Sequence, residues 1–265
     1  MGTFIEGLVN AKLRNMKEMN NVYEVGHVVK VKDYILEVSG LENVGFYERV
    51  VISNYSVGYV TAIKKNTVMV ALLQKAGDIY VGDTVVTTGY DFCGMYSKAS
   101  IGHIIDIFGN DRLIDERFEE LKPISIETDP IPIMERGTVN RPFYTGIAGI
   151  DLVYPIGHGQ RQLIIGDKKS GKTQIALDTI VNQKDKNVLC IYVAVNKTKK
   201  NIKELYDSLM KKGAMEYTVI IASFSDDAPP VAYFTPYMAM SVAELYMREG
   251  QDVLVVIDDL KSHAN

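Results

Sequence analysis

One stretch of this sequence places glycine, lysine and a hydroxyl residue at a spacing that suits phosphate binding. The stretch reads Gly166, Asp167, Lys168, Lys169, Ser170, Gly171, Lys172 and Thr173, with four residues between the two glycines. The glycines let such a loop curl until its backbone N–H groups point at phosphate oxygens. Lys172 is expected to reach the β- and γ-phosphates, and the Thr173 hydroxyl to be a ligand of Mg²⁺. The motif therefore predicts a site for ATP or ADP with Mg²⁺.

The residues on either side of this loop predict the elements that position it. The short apolar run Leu163–Ile165 predicts a buried strand that starts near Arg161, and residues 172–183 have a helical pattern. The positive N-terminal end of that helix adds to the attraction for phosphate. A chance occurrence of the motif in an ordinary loop is the alternative, and the strand–loop–helix context disfavours it.

A second feature suited to this chemistry follows the last apolar run. Residues 253–257 are all apolar, and Asp258 and Asp259 come directly after them. A carboxylate at the end of a buried strand beside a phosphate loop can complete the ligand shell of Mg²⁺. We assign that metal role to Asp258, with Asp259 as the second candidate. An acidic turn after a strand, with no metal role, is the less favoured interpretation.

The remaining pattern divides the chain into three segments. Residues 1–21 predict an amphipathic helix, either packed on the protein's own core or projecting as an arm towards a partner; we favour the arm. Residues 22–94 contain six short β-rich runs at about ten-residue spacing, which predict a small closed barrel. Residues 95–265 alternate strands and helices, which predicts a parallel sheet with its ligand at the carboxyl ends of the strands. The predicted class is α/β, a P-loop NTPase (RecA-like) sheet preceded by a six-stranded β-barrel.

Composition narrows the possible partners and the location. Acidic residues outnumber basic ones by 33 to 29, which argues against a nucleic-acid partner. No apolar run reaches about 18 residues, and no basic-then-apolar signal opens the chain, so we expect a cytoplasmic protein without membrane spans. Cys93 and Cys190 are expected to be reduced thiols. The histidines show no metal-ligand spacing.

A series of short motifs runs in order along the chain. The series comprises Gly82-Asp83, Thr88-Gly89, Gly102, Asp106, Gly109-Asn110, Thr145-Gly146-Ile147, Asp151, Pro155-Ile156-Gly157, Gly159-Gln160-Arg161, Ile191-Tyr192-Val193-Ala194, Ser225-Asp226, Pro229 and Asp258-Asp259-Leu260. Together with the phosphate loop, this series resembles the alpha-type subunit of rotary F-type ATP synthases. The resemblance implies a hexamer in which such subunits alternate with catalytic beta-type subunits around a central rotating stalk. It implies ATP and Mg²⁺ at the subunit boundaries, a location peripheral to the inner face of the membrane, and a possible peripheral-stalk contact at the N-terminal helix.

The resemblance also raises the question of catalysis. In the catalytic subunits of this family, a Gly-Glu pair follows the strand after the P-loop helix, and its Glu polarises the attacking water. Asn196 and Lys197 stand at the corresponding positions here. A charged lysine cannot accept a proton, so the resemblance implies nucleotide binding without efficient turnover and no catalytic residue. A shifted alignment that places Glu204 at this position is the less favoured alternative.

The chain departs from the family pattern in several places, and other functions stay open. Lys168-Lys169 replaces the usual Arg-Gln, while Tyr144 and His158 stand where Gln and Arg are expected. The family continues beyond Asn265 with a region that includes an arginine for the neighbouring site, so we expect a truncated sequence. A catalytic ATPase subunit of a flagellar or secretion motor is one alternative. A hexameric RNA-translocating ATPase is another, which the acidic composition disfavours.

Overall fold

The computed structural model describes residues 23–53, 55–114, 117–126, 128 and 131–264. The predicted arm over residues 1–21 lies outside these described residues. The chain forms two compact units, one extending to Phe92 and including Ala228–Pro230, the other comprising Cys93–Asp227 and the residues from Val231 onwards. Within the described ranges, no helix is long and apolar enough to cross a membrane.

The first unit is a closed barrel. Its strands are β1 (Val25–Lys32), β2 (Ile35–Ser39), β3 (Glu48–Ile52), β4 (Val57–Ile63), β5 (Val68–Gln74) and β6 (Thr84–Asp91). They close in the order β1-β2-β5-β4-β3-β6, and all neighbouring pairs are antiparallel. Inward-pointing side chains such as Leu36, Val38 and Val50 are fully buried, as the period of two along a strand requires. The predicted six-stranded barrel is confirmed.

The second unit contains the remaining strands. They are β7 (Cys93–Tyr96), β8 (Ile104–Ile105), β9 (Lys122–Ser125), β10 (Pro142–Phe143), β11 (Ile156–Gly157), β12 (Val188–Lys197), β13 (Thr218–Phe224) and β14 (Asp252–Asp258). A parallel sheet has the order β14-β12-β13-β8, whereas β7 pairs with β9 and β10 with β11 in two antiparallel ribbons. The first eight residues of β12 are all buried, as expected for a central parallel strand covered on both faces. The predicted α/β sheet is confirmed.

Five α-helices accompany this sheet in the described residues. They are α1 (Ala148–Val153), α2 (Lys172–Val181), α3 (Lys199–Lys211), α4 (Pro229–Arg248) and α5 (Leu260–Ala264). Leu177 and Ile180 of α2, with Ile202 and Leu209 of α3, enter the same buried cluster as the side chains of β12. This burial of apolar side chains holds the start of α2 near the carboxyl ends of the strands.

The predicted strand before the phosphate loop was wrong. Residues 161–165 form no strand, and the side chains of Leu163 and Ile165 are 61% and 84% exposed. A strand is stabilised by ladder hydrogen bonds and by packing against neighbouring strands, and this segment has neither. Among the described strands, β14 pairs only with β12, so its other edge is not covered by residues 161–165.

Candidate functional site

The phosphate loop leads directly into α2 through a glycine. Gly171 has a φ of +91° and no side chain caps the helix after it, so the positive φ favours glycine and the first N–H groups of α2 remain available to an anion. Gly166 is also constrained, because a Cβ atom there would lie 2.8 Å from Ser170 Oγ. Residues 166–171 of the loop are all exposed. Its backbone is therefore accessible to a phosphate group and offers N–H donors to it.

Lys172 is folded onto this loop. Its Nζ donates to the carbonyl oxygens of Gly166 and Asp167, at 2.7 and 2.5 Å, and lies 3.3 Å from Ser170 Oγ. The three acceptors surround the ammonium group within the loop. Phosphate oxygens are stronger acceptors than carbonyls for this group because they carry negative charge. The structure thus places the Lys172 ammonium group inside the predicted phosphate loop.

The two predicted ligands of Mg²⁺ are close together. The Thr173 hydroxyl, at the start of α2, lies 3.3 Å from Asp258 Oδ2, at the end of β14. The same carboxylate oxygen accepts a 2.6 Å hydrogen bond from the hydroxyl of Tyr192. Burial raises the pKa of Tyr192, and the charge of Asp258 raises it further. The phenol therefore remains a donor to Asp258 at physiological pH.

Lys197 binds both carboxylates at the end of β14. Its Nζ lies 2.9 Å from Asp258 Oδ1 and 2.9 Å from Asp259 Oδ2. Burial lowers the pKa of Lys197, but the hydrogen bonds to the two aspartates outweigh that effect and raise it. For Asp259, burial is outweighed by hydrogen bonds from Ser262 and Lys197, which lower its pKa to about 2. The three side chains form one cluster of ion pairs.

The register of the sheet explains this cluster. Ala194 of β12 is paired with Asp258 of β14 in a parallel ladder. The end of β12 therefore extends past the end of β14, and Lys197 turns back over the two aspartates. Such an arrangement follows from two neighbouring strands that end at the same edge of the sheet.

A cavity of about 350 Å³ opens beside this cluster. Its lining residues include Thr173, Tyr192, Lys197, Asp258 and Glu204. Glu204 belongs to α3; its side chain is 65% exposed, and its Oε1 lies 3.8 Å from the Nζ of Lys200. Glu204 thus lines the cavity. It is the acidic residue that the less favoured, shifted alignment places at the position of the catalytic Glu.

A Mg²⁺ ion fits this site only in part. The Thr173 hydroxyl is exposed and available, but the oxygens of Asp258 already accept from Lys197 and Tyr192. In the described ranges, no group of three or more His, Cys, Asp or Glu side chains could hold a metal. Mg²⁺ in nucleotide sites takes most of its ligands from phosphates and water. The residues fit an ion bound by phosphates and Thr173, and they do not fit one held by the two aspartates.

A residue outside the recognised motifs supports the end of β13. The guanidinium group of Arg112 lies 3.3 Å from both Asp106 Oδ2 and Asp227 Oδ1. It also lies over the ring of Phe224, 4.6 Å from the ring centroid. Asp106 is buried, and burial raises its pKa. The sequence analysis did not single out Arg112. The motif that contains Asp106, 6 residues earlier, was the only sequence signal near it.

The motif that contains Thr145 and Asp151 has a structural role. The carboxylate of Asp151 accepts from the N–H and hydroxyl of Thr145 and from the N–H of Gly146. Gly146 has a φ of +77° and would clash with Asn182 if it carried a Cβ atom, at 2.3 Å from Asn182 Nδ2. These contacts fix the turn into α1 and bring it to the end of α2.

A glycine-bounded loop at a helix N-terminus, beside an aspartate that ends a parallel strand, defines a P-loop type nucleotide-binding domain. Residues 146–265 match the family described as ATP synthase alpha/beta family, nucleotide-binding domain. This part of the chain belongs to that family.

Relatives of the chain extend the match beyond this domain. The chain is 38% identical over 262 residues to ATP synthase subunit alpha of Lactobacillus johnsonii, which covers 98% of this chain and 52% of that protein. It is 38% identical over 264 residues to ATP synthase subunit alpha of Caldanaerobacter subterraneus, covering 98% and 51%. The corresponding protein of Limosilactobacillus fermentum is 36% identical over 263 residues, with 98% and 51% covered. The resemblance to alpha-type subunits is confirmed, and the chain spans about half the length of these relatives.

Proposed function

We propose that this chain is a non-catalytic, nucleotide-binding alpha-type subunit of an F-type or F-type-like rotary ATPase. ATP or ADP binds at residues 166–173, with Lys172 at the β- and γ-phosphates and the Thr173 hydroxyl at a phosphate-bound Mg²⁺. The observation that carries the proposal is the ion pair of Lys197 with Asp258 and Asp259. A charged amine at the end of β12 cannot take a proton from the attacking water.

The likeness to subunits named ATP synthase subunit alpha supports the proposed assembly. In it, this chain alternates with catalytic beta-type subunits in a hexamer around a central rotating stalk, and residues 1–21 contact a peripheral stalk or another partner. The complex lies at the cytoplasmic face of a membrane. A net charge of −4 supports a partner other than nucleic acid.

Co-purification with activity measurements tests this proposal. The tagged full chain is isolated from its own cells, its partners are identified, and ATP binding and hydrolysis are measured for the isolated chain and for the complex. We expect a partner with a Gly-Glu pair after its P-loop helix, binding by the isolated chain, and hydrolysis only in the complex. Hydrolysis by the isolated chain, or a complex of one subunit type with RNA, contradicts the proposal.

One observation favours a second candidate, a catalytic subunit of a flagellar or secretion-type motor. Glu204 lines the cavity that also contains Thr173 and Asp258, and a carboxylate there can act as a general base towards water. This candidate predicts ATP hydrolysis that Glu204→Gln abolishes. Asp207→Asn, a change of an exposed acid on the same helix, is the matched control and retains the activity.

A further inference from the structure

The charge balance at the end of β14 differs from that of a site organised by a metal ion. We propose that the Lys197 ammonium group is a built-in counter-cation of the nucleotide site, so that ATP or ADP is held with little dependence on a divalent metal. The inference rests on the proposed nucleotide site, and it concerns what neutralises the acidic residues beside the phosphates.

The first step is the charge of the two aspartates. Asp258 and Asp259 are adjacent, and Asp258 lines the cavity. Uncompensated carboxylates at this position repel a polyphosphate. In nucleotide sites this repulsion is normally relieved by the metal ion, which is the largest local positive charge. Lys197 already contacts one oxygen of each carboxylate at 2.9 Å, so the repulsion is reduced before any metal arrives.

The second step is competition for Asp258. A metal ion that binds this carboxylate must share it with three donors, because Oδ1 accepts from Lys197 and Oδ2 accepts from Tyr192 and Thr173. It must also approach a fixed ammonium group in a partly sheltered place, since the side chains of Lys197 and Asp258 are only 23% and 19% exposed. Screening by water is weak there, and the repulsion between the two cations is correspondingly strong. Direct binding of a metal to Asp258 is therefore disfavoured.

The third step is the position of the ammonium group relative to the phosphates. The cavity is lined by both Thr173 and Lys197, so the Lys197 side chain and the start of α2 border the same space. Lys168, Lys169 and Lys172 add positive charge along the loop. Lysines therefore occur both in the phosphate loop and, through Lys197, in the lining of the cavity beside it.

Nucleotide binding with and without metal tests the inference. The dissociation constant of ATP for the full chain is measured by equilibrium dialysis in excess Mg²⁺ and in EDTA, at matched ionic strength. We expect the two constants to differ by less than about threefold in the native chain. In Lys197→Gln, we expect binding in EDTA to weaken by at least about tenfold and Mg²⁺ to restore it. Lys199→Gln removes a neighbouring lysine that pairs with Asp226 and should change neither constant.

The results of these measurements distinguish a failure of this inference from a failure of the proposed nucleotide site. A native chain that binds ATP in Mg²⁺ but loses more than about tenfold of its affinity in EDTA overturns the inference and leaves the proposed function standing. A native chain that binds ATP in neither condition rejects both. The native comparison needs no variant, so it remains decisive if Lys197→Gln does not fold. Calorimetric titration with Mg²⁺ alone adds a second readout, in which only Lys197→Gln is expected to bind the metal.

Discussion

The hydroxyl of Thr173 lies 3.3 Å from Asp258 Oδ2, although 85 residues separate them in the chain. One stands at the start of α2 and the other at the end of β14. The contact forms although residues 161–165 make no strand, because Leu177 and Ile180 bury α2 in the core of the second unit. The phosphate loop and the acidic strand end are thus assembled through the helix that follows the loop.

Replacing Lys172 by alanine is expected to weaken ATP binding to the isolated chain by about tenfold to a hundredfold. A charge-assisted hydrogen bond is worth about 1.5–3 kcal/mol, and the phosphates lose theirs. Equilibrium dialysis measures the affinity, and the melting temperature should stay near the native value because Lys172 contacts only exposed loop atoms. Lys212→Ala, which removes a lysine paired with Asp178, is the control. An unchanged affinity in Lys172→Ala would falsify the assignment of the phosphate site.

Replacing Lys197 by glutamate places a third carboxylate beside Asp258 and Asp259. We expect the free energy of unfolding at pH 7 to fall by about 1–2 kcal/mol, a value reduced for the partial exposure of the cluster. Urea denaturation of the second unit measures the effect. Lys199→Glu, at a side chain that is 66% exposed, should change stability by less than about 0.5 kcal/mol. Equal effects of the two changes would show that the cluster contributes nothing.

Removing Arg112 leaves the buried carboxylate of Asp106 without its cation. Arg112→Ala is expected to lower the free energy of unfolding by about 2–4 kcal/mol, because an unpaired buried charge is strongly unfavourable. Adding Asp106→Asn should recover part of the loss, since the amide needs no counter-ion. Chemical denaturation of the native chain, both single variants and the double variant gives the coupling between them. Strictly additive effects would contradict the ion pair.

The turn at Asp151 should make stability depend on pH. Burial opposes ionisation of Asp151, but the hydrogen bonds from Thr145 and Gly146 outweigh it and lower the pKa below the ordinary value of 3.8. A carboxyl whose pKa is lowered by folding stabilises the native state above its unfolded pKa, and that stabilisation is lost as the pH falls through the folded pKa. Asp151→Asn should therefore be less stable than the native chain at pH 7, and the two denaturation curves should converge as the pH falls below about 4. A constant difference across this range would exclude the carboxylate as the cause.

Short sequence patterns were sufficient to predict much of the fold. The six barrel strands follow from alternating β-branched residues between turns, and the alternation depends only on neighbours along the chain. The eight apolar residues that begin β12 likewise predict a buried strand, whichever strands lie beside it. The chemical identity of the phosphate loop was also predictable, because its glycines and Lys172 lie within one short stretch.

The contacts of this site depended on the tertiary structure. Residues 161–165 can form a strand only by pairing with a strand at the edge of the sheet. An apolar run does not specify which strand it pairs with. Arg112 reaches Asp227 from 115 residues away, and Lys197 reaches Asp258 from 61 residues away. By itself the sequence determined that a lysine, Lys197, follows the apolar run of β12, and the parallel register of β12 and β14 decided which charges it neutralises. Side-chain type is local information, whereas the partner of a charge is set by how separate strands are placed side by side.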